Sequence, residues 1–253
     1  MKLQGIAVIV TGAASGLGAA TVERLVAKGA RVAAFDLNED AGLPLAQRVG
    51  AAFFKADVTD EASVAAAIAA AEAAHGVARI LVNCAGIVFG ARTVGSNGQP
   101  HAIHQFRKVV DINLIGAFSM ISRVAARLIG VDPLDEERGV IINTASVAAF
   151  DGQIGQAAYA ASKAAVVGMT LPLARELAAF GIRVVTIAPG TFWTPMLASL
   201  SPAILDSLGK QTPFPSRLGK PDEFAQLAES IIGNPMLNGE TIRLDGAIRM
   251  APK

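Results

Sequence analysis

The chain has 253 residues, of which 52% are hydrophobic, 17% charged and 5% aromatic; 22 Lys and Arg against 21 Asp and Glu give a formal net charge of +1. So apolar a composition argues against disorder, and a near-neutral surface with no basic block disfavours nucleic acid as a partner. One cysteine excludes an internal disulfide and is expected of a cytoplasmic protein.

Apolar runs that read as strands alternate with alanine-rich helical segments. Strands are predicted at 5–10, 31–36, 51–58, 79–86, 139–146, 182–190 and 239–246, and helices at 16–28, 39–48, 61–75, 104–129, 157–180 and 221–232. Gly29 and Gly181 sit where helix C-caps are wanted, and Pro221 with Asp222 and Glu223 marks a helix start. Continuous rather than alternating apolar strands are the mark of parallel strands buried on both faces. The expected fold is therefore a single α/β domain over 1–253, a Rossmann-type doubly wound parallel sheet of about seven strands.

The run at 5–10 is short for a signal-peptide core. The uncharged stretch 184–205 is broken by Pro189, Gly190, Pro195 and Pro202, so it cannot continue as one membrane-crossing helix. No membrane partner is expected. Residues 87–103 and 130–138 read as surface loops. Residues 189–220 hold five of the twelve prolines and follow a strand end, where such sheets place ligands; a substrate lid is expected there.

The first strand runs into Thr11-Gly12-Ala13-Ala14-Ser15-Gly16-Leu17-Gly18, which opens a helix. Glycines let the backbone approach a pyrophosphate, and the helix start offers unpaired N–H groups and the positive end of a dipole. Asp36 ends the second strand eighteen residues after Gly18. A carboxylate there accepts from both ribose hydroxyls and repels a 2′-phosphate, which favours NAD over NADP. Asp57 and Val58, ending the third strand, are placed to contact the adenine.

Tyr159 and Lys163 lie four residues apart on a predicted helix and so on one face, and Ser146 ends the fifth strand thirteen residues before the tyrosine. A phenol with an ordinary pKa near ~10 is a weak base at neutral pH; a nearby ammonium is expected to lower it. Tyr159 can then take the proton of a substrate alcohol while Ser146 holds the same oxygen. Tyr159 is also the chain's only tyrosine.

Across its whole length the sequence resembles the short-chain dehydrogenase/reductase family. The resemblance makes the glycine-rich turn its cofactor loop, Asp57 its adenine-contacting aspartate, and Asn83, Ala85 and Gly86 its N-N-A-G strand end, with Cys84 in place of the second asparagine. Cys84 reads as a small buried residue. Asn113 matches the family position that bends a helix and holds a water in a relay with the lysine. Pro189, Gly190, Thr191 and Thr194 match the segment at the nicotinamide, and a homotetramer is implied.

Longer runs, among them 139–177 and 182–195, resemble the family's 3-hydroxyacyl-CoA dehydrogenase branch, which includes 17β-hydroxysteroid-oxidising members. The activity so implied is reversible NAD-linked oxidation of a secondary alcohol, foremost an (S)-3-hydroxyacyl-CoA, without a metal. A hydroxysteroid or other secondary-alcohol dehydrogenase is the alternative. An acyl-carrier-protein reductase is disfavoured by Asp36, and a non-catalytic NAD-binding scaffold by Ser146, Tyr159 and Lys163. Phe192, Trp193, Met196, Leu197 and Leu200 offer the lid an apolar surface. His101, His104, Arg107 and Lys108 are read as a solvated loop and helix start rather than coenzyme A contacts, and all three histidines as surface residues.

Overall fold

The apolar runs become seven strands: β1 (Ala7–Thr11), β2 (Arg31–Asp36), β3 (Ala52–Lys55), β4 (Ile80–Asn83), β5 (Gly139–Thr144), β6 (Ile182–Pro189) and β7 (Thr241–Leu244). All pair in parallel, in the order β3-β2-β1-β4-β5-β6-β7, in a computed structural model that describes residues 1–195, 197 and 201–252. The helices are α1 (Gly16–Ala27), α2 (Glu39–Val49), α3 (Glu61–His75), α4 (Ile103–Val110), α5 (Ala117–Ile129), α6 (Ala157–Ala178), α7 (Pro202–Lys210) and α8 (Pro221–Gly233).

Alternate residues of each strand feed two cores. Ile9, Phe35, Leu81 and Ile141 face one side with Val64 of α3 and Met120 and Leu128 of α5. Val8, Val10, Val32 and Ile142 face the other with Leu25 of α1 and Phe224 and Ile231 of α8. The strand order reverses between β1 and β4, which opens a crevice above their C-terminal ends.

Sequence and structure differ in three places. Predicted strands 51–58, 79–86 and 239–246 are trimmed at both ends; the first stops because Asp57 turns the chain, its carboxylate accepting from the Thr59 N–H at 2.9 Å. The predicted helix at 104–129 runs from Ile103 to Ile129, but Asp111–Gly116 within it is π-helical. α7 lies inside the stretch expected as a lid, where no helix was predicted: Leu205, Leu208 and Gly209 turn inward while the rest is exposed, and the Ser201 hydroxyl caps it by accepting from the Ile204 N–H.

Ile103–Ile129 and α6 have the length and apolarity of membrane spans. Both pack on the sheet and on each other, while Ile115, Phe118 and Leu171 stay exposed.

One buried ion pair ties the far end of the sheet together. Arg183 of β6 donates through Nε to Glu137 Oε2 at 2.7 Å and also to the carbonyls of Ile231, Ile232, Asn234 and Leu237. Arg183→Met removes the guanidinium from four carbonyls and leaves buried Glu137 with only the Met1 ammonium as its charge partner, so chemical denaturation should show a loss of about 3–5 kcal/mol.

Candidate active site

The crevice encloses about 990 Å³ and takes its walls from the ends of β1, β2 and β4, the start of α1 and the face of α4. Ordinary side chains would not fit at its base. Gly12 has φ +62°, and a Cβ there would stand 2.7 Å from the Ala85 nitrogen; a Cβ on Gly18 would meet the Gly12 oxygen. The turn and the end of β4 are therefore in van der Waals contact. Thr11 adds to this, its hydroxyl accepting from the backbone N–H groups of Cys84 (3.2 Å) and Ala85 (3.1 Å).

Ser15, Gly16, Leu17 and Gly18 line the crevice at the start of α1, whose first N–H groups have no partner within the helix. Asp36 lines it too: Oδ2 accepts from the Ala14 N–H at 2.9 Å and Oδ1 from the Asn38 N–H at 2.9 Å. Asp57, Val58, Ala85, Gly86 and Thr194 complete the predicted lining. Cradle, helix start and carboxylate together fit a dinucleotide.

Asn83 does not face the crevice. It is 4% exposed and donates from Nδ2 to Asn143 Oδ1 at 3.0 Å, so it braces β4 against β5 from within the sheet. Cys84 is half-buried rather than buried: it packs against the α1–α8 core and also lines the crevice, and desolvation pushes its thiol up to about 11.

Beside the crevice, Ser146 caps a short 3-10 turn, Val147–Ala149, its Oγ accepting from the Ala148 N–H at 3.1 Å. Tyr159 lies in the first turn of α6, its phenol beside the Ser146 hydroxyl. Burial raises the phenol's pKa and the Ser146 bond lowers it. The expectation that Lys163 lowers it is not met in this structure. Lys163 Nζ stands 5.9 Å from the centre of the tyrosine ring and donates to the Thr144 carbonyl at 2.8 Å. Lys163 is 5% exposed, and burial lowers its own pKa to about 8.

Asn113 lies in the π-helical segment, a device common at functional sites. Its Oδ1 accepts from the Ile87 N–H (2.8 Å), while Nδ2 donates to the Ile87 carbonyl (2.9 Å) and to Ser162 Oγ (3.1 Å). Gly86 lies between Asn113 and Lys163: a Cβ there would be 3.1 Å from Asn113 Oδ1 and 3.4 Å from Lys163 Nζ.

Pro189 ends β6, and the Gly190 N–H donates to the Leu244 carbonyl at 2.9 Å. Thr191 lines a separate cavity of about 380 Å³ between this segment and α8. Phe192 is not part of an apolar lid surface: it is 8% exposed in the core, with Gly219 against its ring. Trp193 is exposed, Leu197 is half-buried, and Met196 and Leu200 lie outside the described residues.

Residues read as solvated also prove closer to the site. His104, Arg107 and Lys108 are exposed, yet they line the crevice on the α4 side. His75 and His101 are half-buried rather than surface residues; His101 lies edge-on between Phe89 and Phe106. Thr144 and Ile87 were invisible in the sequence as site residues because they act through backbone atoms. Thr11, a polar residue at the end of an apolar strand, did carry a signal.

The chain belongs to the short-chain dehydrogenase family: the family profile described as short chain dehydrogenase matches residues 6–204. It is thus an oxidoreductase of a class that uses a nicotinamide cofactor and a small-molecule substrate. It is 52% identical to 3-hydroxyacyl-CoA dehydrogenase type-2 of Homo sapiens over 99% of this chain and 98% of that one. Similarity to the 3-oxoacyl-[acyl-carrier-protein] reductase of Thermotoga maritima is lower, at 32% over 98% of this chain and 99% of that one. The crystal structure of 3-hydroxyacyl-CoA dehydrogenase type-2 from Mycobacterium avium superposes with a TM-score of 0.94 at 45% identity, covering 98% of each chain.

Two measurements test this geometry. Gly12→Ala forces its Cβ into the backbone of Ala85, so dinucleotide affinity should fall at least tenfold by equilibrium binding. For Lys163, the unfolded chain keeps the proton up to an ordinary pKa near ~10.4, whereas the folded chain releases it from about pH 8. The unfolded state binds more protons in between, so this group makes stability rise with pH from 8 to 10. Urea unfolding across that window should show the rise in the native chain and a flatter profile in Lys163→Met.

Proposed function

We propose that the chain oxidises the secondary alcohol of an (S)-3-hydroxyacyl-CoA to the 3-oxoacyl-CoA, reversibly and with NAD. The observation that carries the chemistry is the meeting of Ser146, Tyr159 and Lys163 beside a glycine-lined dinucleotide crevice. NAD, when bound, supplies the hydride acceptor. The N–H groups at the start of α1 would hold its pyrophosphate, Asp36 its adenosine ribose, Asp57 and Val58 its adenine, and the segment from Pro189 to Thr194 its nicotinamide, with Thr194 the member that lines the crevice.

Ser146 Oγ accepts from the Ala148 N–H, so its one hydroxyl proton, turned toward the Tyr159 phenol in this structure, can swing to the substrate oxygen. Tyr159 takes the alcohol proton as the carbonyl forms. The Lys163 ammonium favours the phenolate as positive charge enters the site and anchors the nicotinamide ribose. Asn113 has committed both side-chain atoms to Ile87 and Ser162, so the second lone pair of Oδ1 is what it offers a relay water. None of these roles calls for a metal.

The acyl-CoA assignment is supported by the 52% identity to the human 3-hydroxyacyl-CoA dehydrogenase type-2 and by the cationic edge of Arg107 and Lys108, which suits a phosphate-bearing ligand. The segment 189–220 is the proposed lid. The exposed Ile115, Phe118 and Leu171 on two packed helices support a homotetramer, and the free thiol of Cys84 supports a cytoplasmic setting.

NAD reduction across 3-hydroxyacyl-CoAs, 17β-hydroxysteroids and simple secondary alcohols tests the reading; activity confined to the last group overturns the acyl-CoA assignment. Tyr159→Phe should lower kcat by roughly 10²–10⁴-fold. Asp36→Ala should erode the preference for NAD over NADP, read as the ratio of their kcat/KM values.

A further inference from the structure

The two halves of the reacting pair are held by different segments. Ser146 and Tyr159 are joined by 147–158, whereas the segment assigned to the nicotinamide, Pro189 to Thr194, follows β6. Hydride transfer requires the two to be in register within a fraction of an ångström, and an error of about 1 Å introduced far from the chemistry can cost ~10²-fold.

One side chain spans both. Arg243, in the edge strand β7, donates from Nη2 to Asp151 Oδ2 at 2.6 Å and from Nε to Asp245 Oδ2 at 2.7 Å. Nη2 also reaches the Ile248 carbonyl at 3.0 Å, and the guanidinium lies 5.1 Å from the centre of the Phe150 ring. Asp151 is locked to the Ser146 turn through its N–H, which donates to the Val147 carbonyl at 2.9 Å. Asp245 is packed on the other segment so closely that a Cβ on Gly190 would stand 2.9 Å from its Cα.

The residues after Asp245 repeat the link. The Ile154 N–H donates to the Pro252 carbonyl and Gln153 Nε2 to the Ala251 carbonyl, both at 3.0 Å, just ahead of α6 and Tyr159.

We propose that Arg243 is a positioning residue for hydride transfer, fixing the Ser146–Tyr159 segment against the Pro189–Thr194 segment through Asp151 and Asp245. It touches neither substrate nor cofactor. A planar guanidinium can hold two carboxylates and a carbonyl at once while stacked on a ring; an ammonium at the end of a lysine cannot reproduce that fork. The inference rests on the dehydrogenase reading above.

The test uses the full chain, NAD and (S)-3-hydroxybutyryl-CoA, unlabelled and deuterated at C3, with Arg243→Met, Arg243→Lys and Asp151→Asn. Arg243→Met should lower kcat at least tenfold, with KM and the Kd of NADH within threefold of the native values. Its deuterium isotope effect on kcat should rise as hydride transfer becomes limiting. Asp151→Asn should act in the same direction, Arg243→Lys should restore only part of the rate, and Arg243→Met with Asp151→Asn should be no worse than the stronger single change.

Rates are to be normalised to the folded fraction titrated with NADH, so a folding defect removes sites without changing the isotope effect. Native-like kcat per folded site, or an isotope effect unchanged in both Arg243→Lys and Asp151→Asn, overturns the proposal. A native chain inactive on every alcohol tried would instead overturn the dehydrogenase reading, before any variant is compared.

Discussion

The site is organised around a buried ammonium. Lys163 is enclosed between α6, the end of β5 and Gly86, and among the described residues no carboxylate pairs with it. Water would stabilise that charge far better than one carbonyl does, which is why burial lowers its pKa. The cost is tolerable because, on the proposed function, that ammonium anchors the nicotinamide ribose. Gly86 leaves the space, Thr144 turns its carbonyl inward and α6 brings Lys163 below Tyr159. The remaining architecture serves to keep this cation dry and aimed.

The π-helical segment is the counterpart on the opposite wall. An extra residue in the turn widens the helix at Asn113, which turns inward and takes both backbone groups of Ile87. Backbone at the exit of β4 that would otherwise seek water is thereby satisfied inside the protein. The same helix presents Arg107 and Lys108 to the crevice one turn earlier, so a single local distortion orients a buried amide and leaves the cationic edge in place.

The seven parallel strands, the helices between them and the gathering of Ser146, Tyr159 and Lys163 were legible in the sequence, because each rests on a local pattern: apolar runs, glycines at a strand-to-helix turn, and a tyrosine and lysine at helical spacing. What escaped it depends on partners distant in the chain or on backbone atoms. Asn83 resembles a cofactor contact by motif, but only the pairing of β4 with β5 reveals that Asn143 claims its amide. Phe192 looks like lid surface until Gly219 is seen against its ring. The phenol's shift likewise follows from burial, a property of the assembled site, and not from the spacing of Tyr159 and Lys163.

Asp36 has two tasks that the sequence presents as one. Beyond any contact with a ribose, its Oδ2 is the acceptor for the Ala14 N–H, and so part of what shapes the glycine turn. Cofactor preference and loop integrity are therefore coupled in one carboxylate. Re-engineering the chain toward a phosphorylated dinucleotide is accordingly a two-part design problem: the negative charge must go, and an uncharged acceptor, such as an asparagine or serine oxygen, must remain for Ala14. Variants that add a cation nearby without replacing that acceptor would trade selectivity for a slack turn.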